Sequence, residues 1–248
     1  ISNMRFYRKI KGYFKLIGPG LVTGASDDDP SGIATYSQAG AMFGLSTLWT
    51  SLLAFPLMAA IQQMCARIGL VTSHGLTRTL KIHYPRPMLY LMLIFSAPAI
   101  VLNIGSDIAG MGAVGNLLFP SIDASLFSIF FTALLIILII YLPYKKISSI
   151  LKWLCSVMIV YLIVPFFYKQ DIGYILKSTF VPKIIWDKNF LLVLVGILGT
   201  TISPYLFFWQ TSVEVEEMRQ SKKHIVVDKK LISDVNMDVD FGMIFSGI

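Results

Sequence analysis

The stretch Asp27-Asp28-Asp29-Pro30-Ser31-Gly32 places three carboxylates and two helix breakers in the middle of an apolar segment of about residues 14–43. The segment is long enough to cross a bilayer, but Pro30 has no amide donor and Gly32 is conformationally permissive, so we expect a broken membrane helix. A buried aspartate costs about 2.5 to 3.5 kcal/mol even on insertion scales, and a broken backbone needs protein or water to satisfy it. This cost favours a cation site at the break. The alternative is a polar loop between two short membrane helices.

The composition predicts the broad class of protein. Hydrophobic residues make up 55% of the chain, charged residues make up 14%, and the mean hydropathy is +0.70. Several apolar segments approach the roughly 20 residues that span a bilayer, which predicts an all-α polytopic membrane protein surrounded by lipid. The net charge of +7 does not indicate nucleic-acid binding, because the basic residues separate apolar segments and form no basic surface with interleaved aromatic residues. Cys65 and Cys155 lie singly in apolar runs, which indicates core packing.

Apolar length and turn signals predict six further spans after the first broken helix. These are expected over about 45–65, 88–118, 124–142, 148–168 and 189–212, with the start of a seventh helix near Phe241. Pro98 and Gly105 are expected to kink or shorten the third of the seven. We expect residues 1–248 to form a single membrane domain. Because the chain stops just inside the seventh helix, we interpret it as the N-terminal part of a longer protein.

The distribution of basic residues predicts the orientation of these spans. If the N-terminus is cytoplasmic, all but four of the 21 lysines and arginines lie in segments assigned to the inside. The four exceptions share the loop between the fifth and sixth spans: Lys169, Lys177, Lys183 and Lys188. By the positive-inside rule, we predict an integral protein of the cell (inner) membrane with a cytoplasmic N-terminus.

The sixth span repeats the anomaly of the first. Its apolar run gives way to Thr200-Thr201-Ile202-Ser203-Pro204-Tyr205 and resumes at Leu206, so Pro204 is expected to break the helix. Two interrupted spans, five helices apart, are typical of transporters that bind their substrate near the middle of the membrane between discontinuous helices. The free carbonyls at such breaks favour a cation. The alternative for Pro204 alone is an ordinary proline kink.

Several motifs resemble those of the Nramp divalent-metal transporters. Gly18-Pro19-Gly20, Asp29-Pro30-Ser31-Gly32 and Gln38-Ala39-Gly40-Ala41 are similar to the first helix of that family, whose motif there is Asp-Pro-Gly-Asn. The similarity continues through residues 66–72 and 105–108 and into 199–205, where the family has Met-Pro-His. The resemblance implies a LeuT-type fold, of which this chain holds the first inverted repeat, the sixth helix and the start of the seventh. It also implies divalent-cation transport through a site between the first and sixth helices.

The resemblance assigns candidate ligands by position in the motifs. In the family the ion is held by the motif aspartate and asparagine, by the methionine sulfur and by backbone carbonyls one turn before each break. The matching positions here are Asp29, Gly32, Ser203 and the carbonyls of Ser26 and Thr200. Further candidates near the site are Asp28, Gln38, Asp107 and Tyr205. No resident cofactor is expected, because the metal ion is the substrate.

Two departures from the family pattern bear on the ion and its coupling. Gly32 offers no side chain and Ser203 replaces a soft thioether, which favours a harder, more hydrated ion and resembles the Nramp-related magnesium transporters. Tyr205 and Gln210 stand where classical members have histidines, and Gly110 replaces the second acid of the third helix. We therefore predict a secondary transporter or facilitator for Mg²⁺ and Mn²⁺ without proton coupling.

Three other classes remain to be compared with this prediction. A classical proton-coupled Mn²⁺/Fe²⁺ Nramp transporter would share the fold, and so would a sodium-coupled carrier of organic solutes. The acidic triplet argues against carboxylated solutes, because they would meet like charge. An enzyme is not expected, because the sequence contains no His-Glu-x-x-His site, Ser-His constellation or phosphate-binding glycine loop with a lysine.

Overall fold

The computed structural model describes residues 19–154, 157, 160, 163–167, 171–220 and 229–246, and these residues form helices and connecting turns without a strand. The helices that we number α1 to α6 are Pro19–Asp27, Pro30–Phe43, Trp49–Thr72, Leu76–His83, Arg86–Leu118 and Ala124–Tyr141. Helices α7 to α11 are Tyr144–Leu154, Ile172–Phe180, Lys188–Thr201, Pro204–Gln220 and Lys229–Ser246. Short 3-10 turns cover Gly44–Thr47 and Val164–Phe167.

Four segments of the described chain are long and apolar enough to cross a membrane: Trp49–Thr72, Arg86–Leu118, Ala124–Tyr141 and Lys188–Arg219. Helix α6 is the clearest, with a mean hydropathy of 2.6 and none of its most apolar window buried inside the protein. An apolar helix with exposed apolar side chains over much of its surface is what a lipid environment requires. The polytopic all-α prediction is therefore confirmed.

The predicted break in the first helix is confirmed. Helix α1 ends at Asp27 and α2 begins at Pro30, so Asp28 and Asp29 lie between two helical halves. Asp29 has an extended backbone, with φ −81° and ψ 166°. Proline at the first helical position has the backbone angle that a helix needs, and its missing N–H would have had no intrahelical partner.

The second predicted break is also confirmed. Helix α9 ends at Thr201 and α10 begins at Pro204. Ile202 leaves the helical conformation, with φ −106° and ψ 61°. The hydroxyl of Ser203 donates a hydrogen bond to the carbonyl of Thr200 at 2.5 Å, which satisfies one carbonyl that the ended helix leaves open.

The remaining spans differ from prediction mainly at their ends. Helix α3 is shifted toward the C-terminus, because residues 44–47 form a 3-10 turn and the helix continues past Cys65 to Thr72. Helix α5 begins two residues earlier than predicted, and Pro98 does not shorten it. Helix α6 ends one residue before the predicted bound. The predicted fifth span is described as α7 up to Leu154, and much of the rest lies outside the described residues.

The predicted start of the seventh helix was wrong. Helix α11 begins at Lys229, about three turns before Phe241. Its polar residues have partners on other helices: Asp238 accepts from the backbone N–H of Gly20 at 2.7 Å, and Asp240 accepts from the amide of Gln63 at 2.5 Å. A polar sequence therefore remains helical because packing satisfies its side chains.

The chain forms two compact units, and two of the boundaries between them, at residues 26/27 and 204/205, fall inside the two interrupted spans. One unit comprises Ile1–Ser26, Phe55–Tyr90 and Tyr205–Ile248, and the other comprises Asp27–Ala54 and Leu91–Pro204. The core of the first unit contains five buried apolar side chains: Met58, Ala59, Ala66, Val239 and Met243. In the second unit, α2 packs against α9, and the rings of Phe43 and Phe190 meet edge to face at 5.1 Å.

Candidate metal centre

Asp29 lies between the two halves of the first interrupted helix and caps the N-terminus of α2. Its Oδ1 atom accepts a hydrogen bond from the backbone N–H of Gly32 at 2.7 Å. The hydroxyl of Ser31 also lies 2.7 Å from Oδ1. Aspartate is among the preferred residues at this position, because its side chain satisfies an amide that the helix leaves without a partner. The carboxylate is therefore held at a helix end that favours negative charge.

A second set of polar groups reaches Asp29 from helix α5. The amide nitrogen of Asn103 donates to Asp29 Oδ2 at 2.9 Å and to Asp107 Oδ2 at 3.2 Å. Asp107 Oδ1 accepts from the backbone N–H of Ser31 at 3.2 Å. The Ser31 hydroxyl, which has one proton to donate, is also 2.9 Å from Asn103 Oδ1. Two carboxylates, one amide and one hydroxyl thus form a single network.

The other predicted residues of the first interrupted helix lie at different distances from this network. Gly32 adjoins the network directly, because a Cβ built on it would lie 3.3 Å from Asp29 Oδ1. Asp28 is half-buried in the bend beside Asp29. Gln38 is exposed on α2, about two turns from the break, and is not part of the network.

The second break belongs to the same unit as this network. Thr200 turns its hydroxyl back onto its own helix, toward the carbonyls of Gly196 and Ile197. Its own carbonyl accepts from Ser203, whose side chain is 2% exposed. Thr201 connects this end of α9 to α2, because its hydroxyl oxygen lies 2.6 Å from the phenolic oxygen of Tyr36.

The last two predicted residues, Ser26 and Tyr205, belong to the other unit. The phenolic hydroxyl of Tyr205 donates to the backbone carbonyl of Ser26 at 3.2 Å. The side-chain hydroxyl of Ser26 donates to the carbonyl of Val22 at 2.7 Å. Two residues predicted from opposite breaks are therefore direct neighbours.

Sequence reasoning missed Asn103 and Ser31 as members of the network. Asn103 precedes Asp107 by four residues, a spacing that places both side chains on one helix face. That signal was present in the sequence, but it could not show that the same face meets Asp29. Ser31 was part of the quoted motif, and its hydroxyl has no counterpart in the Asp-Pro-Gly-Asn pattern.

The donor chemistry of the site is oxygen-based. Among the described residues, no group of three or more His, Cys, Asp and Glu side chains is placed to hold a metal ion. The described histidines, His74 and His83, lie outside the candidate membrane spans, and His224 lies outside the described residues. Carboxylate, carbonyl and water oxygens suit Mg²⁺, Ca²⁺ and Mn²⁺ better than softer metals.

Comparison with known proteins identifies the family. The model of the family described as natural resistance-associated macrophage protein-like (Nramp) matches residues 20–248. The chain belongs to the Nramp family. The predicted membership of the Nramp family is therefore confirmed, and so is the expectation that the protein is not an enzyme.

The Nramp relatives that it matches are about twice as long. The chain is 27% identical over 238 residues to the divalent metal cation transporter MntH of Staphylococcus saprophyticus, covering 92% of this chain and 53% of that protein. It is 27% identical over 208 residues to MntH of Mesorhizobium japonicum, covering 81% and 45% respectively. The chain thus spans about half the length of these relatives, and these matches give no support to a magnesium-transporting branch.

Solved structures of a manganese transporter share the fold. A crystal structure of the Eremococcus coleocola manganese transporter, in complex with an aromatic bis-isothiourea substituted compound, matches with a TM-score of 0.74 and 21% identity. The match covers 94% of this chain and 49% of that protein. A variant of the same transporter matches with a TM-score of 0.75 over 95% and 50% of the two chains. The predicted LeuT-type fold is confirmed for the part that this chain covers.

Proposed function

We propose that the complete protein carries divalent metal cations across the membrane and that Asp29 is its principal cation ligand. The observation that carries the proposal is the position of Asp29 in a helix break, where its carboxylate is held by the N–H of Gly32 and the amide of Asn103. A carboxylate placed in a membrane span marks a substrate or ion site, because it is costly to keep there without one. Relatives named as divalent metal cation transporters support the same class of substrate.

The proposed ligand set extends from Asp29 along the two breaks. In the unit that contains Asp29, we assign Ser203, the carbonyl of Thr200 and water beside Gly32 as further direct ligands of the ion, with Asp28 and Asp107 close to them. The carbonyl oxygen of Thr200 accepts a hydrogen bond from Ser203 and has a second lone pair for the ion. Ser26 and Tyr205 remain ligand candidates from the resemblance alone, and Gln38 remains a candidate contact for a hydrated ion.

The ligand chemistry favours Mg²⁺ and Mn²⁺ among divalent ions. A serine at position 203 and no side chain at position 32 provide only oxygen ligands and leave room for water. Mg²⁺ loses its water reluctantly, and Mn²⁺ also accepts oxygen ligands. A manganese-selective carrier is the second candidate, and the names of the relatives favour it.

We further propose that transport proceeds without proton coupling. The described histidines lie outside the candidate spans, and Gln210 is a buried amide that donates to Glu214 at 2.8 Å. A Cβ at Gly110 would lie 2.7 Å from Pro30 Cβ, so the present packing leaves little space for an acid at that position. The orientation that we propose is an N-terminus in the cytoplasm and a location in the cell (inner) membrane.

Metal uptake by proteoliposomes that contain the complete protein tests these proposals. We expect a metal-sensitive dye in the lumen to report entry of Mg²⁺ and Mn²⁺, while a pH dye reports no metal-dependent acidification. Entry of Mn²⁺ alone, with acidification, would establish the classical proton-coupled carrier instead. Sodium-dependent uptake of radiolabelled amino acids without metal entry would contradict the metal-transport proposal.

A further inference from the structure

The position of Asn103 is unusual for a polar side chain. It lies near the middle of α5, a 33-residue helix that is apolar on nearly all of its surface. Neighbouring side chains on the same helix, such as Val101 and Leu102, are 67% and 74% exposed, as expected of residues that face lipid. Asn103 is instead half-buried and points to the start of α2. A side-chain amide at this depth is costly unless its hydrogen bonds are made.

The hydrogen bonds of Asn103 connect two groups of like charge. A side-chain amide nitrogen carries two protons, and here one is directed to Asp29 and the other to Asp107. The amide oxygen lies 2.9 Å from the hydroxyl of Ser31. One neutral side chain therefore provides donors to both carboxylates at a place where a lysine or an arginine would add a competing positive charge.

We propose that Asn103 is a positioning residue for the cation site, which fixes the second oxygen of Asp29 while the start of α2 fixes the first. This inference rests on the proposed function of Asp29. Oδ1 is directed by Gly32 and Ser31, and Oδ2 is directed by Asn103, so the carboxylate plane is defined from two helices. A ligand that is already oriented loses less conformational freedom when an ion binds.

The proposal makes Asn103 a determinant of metal affinity and not only of folding. If the amide served only to connect α5 to α2, its loss would lower the stability of the metal-free protein and leave the metal affinity unchanged. If it positions Asp29, its loss weakens metal binding in protein that is still folded. The two roles are therefore separable by a measurement of metal-dependent stabilisation.

The test uses the complete purified protein and Mn²⁺ or Mg²⁺ alone as the probe. The unfolding temperature is measured at increasing metal concentration for the wild type, Asn103→Leu and Asn103→Ser. The serine variant has the smaller side chain and replaces the leucine variant if that one does not fold. Asn116 provides the matched control, because it lies on the same helix and donates to the carbonyl of Ile122, outside the network. Asn116→Leu and Asn116→Ser remove the same chemical group.

We expect both Asn103 variants to need about tenfold more metal for half-maximal stabilisation, since a hydrogen bond to a charged group contributes this order of affinity. The Asn116 variants should stay within about twofold of the wild type. A folded Asn103 variant with unchanged metal dependence would overturn the inference and leave the proposed function standing. Wild-type protein that neither binds nor transports metal would overturn the proposed function, and this inference with it.

Discussion

The phenolic oxygen of Tyr36 lies 2.6 Å from the hydroxyl oxygen of Thr201 and joins the segment after the first break to the segment before the second. Thr201 is buried, with 8% of its surface exposed, and it also donates to the carbonyl of Ile197. In the unit to which both residues belong, this hydrogen bond is a direct side-chain connection between the two interrupted spans.

A double-mutant cycle should detect this connection as a coupling energy. For Tyr36→Phe combined with Thr201→Val, we expect the loss in unfolding free energy to be non-additive by about 0.5 to 1.5 kcal/mol, the usual contribution of one hydrogen bond. Denaturant unfolding in detergent measures it. Thr200→Val is the control, because the Thr200 hydroxyl hydrogen-bonds within its own helix, to Gly196 and Ile197, so its cycle with Tyr36→Phe should be additive. Equal coupling in both cycles would contradict the assignment.

Asp29 has two roles that different substitutions should separate. Asn at this position keeps an N-cap acceptor but removes the charge, whereas Ala removes both. We expect Asp29→Asn and Asp29→Ala each to abolish divalent-cation uptake in proteoliposomes. Asp29→Ala should also lower the unfolding free energy by about 1 kcal/mol, the typical cost of a lost cap, whereas Asp29→Asn keeps the cap acceptor.

Asp27 provides the comparison for Asp29, because it is a neighbouring aspartate at the end of α1 rather than the residue before the proline. Asp27→Asn and Asp27→Ala should leave most of the uptake intact. An equal loss of uptake at both positions would show that the break needs its total charge and not one particular ligand.

Because α1 packs closely on α11, substitutions of two glycines by alanine should change the stability of the protein by very different amounts. A Cβ on Gly24 would overlap the backbone carbonyl of Gly242, whereas a Cβ on Gly40 would meet nothing within 4 Å. We expect Gly24→Ala to destabilise the protein by about 1 to 3 kcal/mol, as overpacking does. Gly40→Ala should be neutral or stabilising by up to about 1 kcal/mol, because alanine favours helices. Unfolding curves that move equally for both variants would rule out this packing.

The sequence was sufficient to predict the breaks but not their surroundings. Proline and glycine act on the local backbone, so Pro30 and Pro204 could be located as helix starts without knowledge of the fold. The contact between Asn103 and Asp29 joins residues far apart in the chain, and no local rule specifies which helix face meets which. The position of Asp29 in a helix break could be predicted from the sequence, whereas its hydrogen-bond partners could not.

The start of the seventh helix could not be predicted from local sequence either, because it also depends on contacts between residues far apart in the chain. The sequence alone places its start near Phe241, with residues 238–248 as the entry to the helix. In the structure the helix begins at Lys229, and its Asp238 and Asp240 accept hydrogen bonds from Gly20 and Gln63. Apolar length predicts helices that face lipid, such as α6, better than helices whose polar groups find partners inside the protein.

The selectivity of the site should depend on positions 32 and 203 together. Gly32→Asn combined with Ser203→Met would introduce an amide and a soft sulfur where the chain now has only backbone and a hydroxyl. The structure adds a steric reason, because a Cβ at position 32 would lie 3.3 Å from Asp29 Oδ1, and Ser203 is nearly fully buried. Larger side chains at both positions would therefore displace water and narrow the space around Asp29.

We expect the double variant to lower Mg²⁺ transport and to favour Mn²⁺, because Mg²⁺ resists dehydration and interacts poorly with a thioether. Competition between the two ions for uptake into proteoliposomes measures the change, and a tenfold shift in relative affinity corresponds to about 1.4 kcal/mol. Gly40→Ala is the folding-matched control and should leave the preference unchanged. A well-folded double variant that keeps the wild-type preference would show that selectivity is set by other residues, with Asn103 and Asp107 the first to test, since both hydrogen-bond within the network around Asp29.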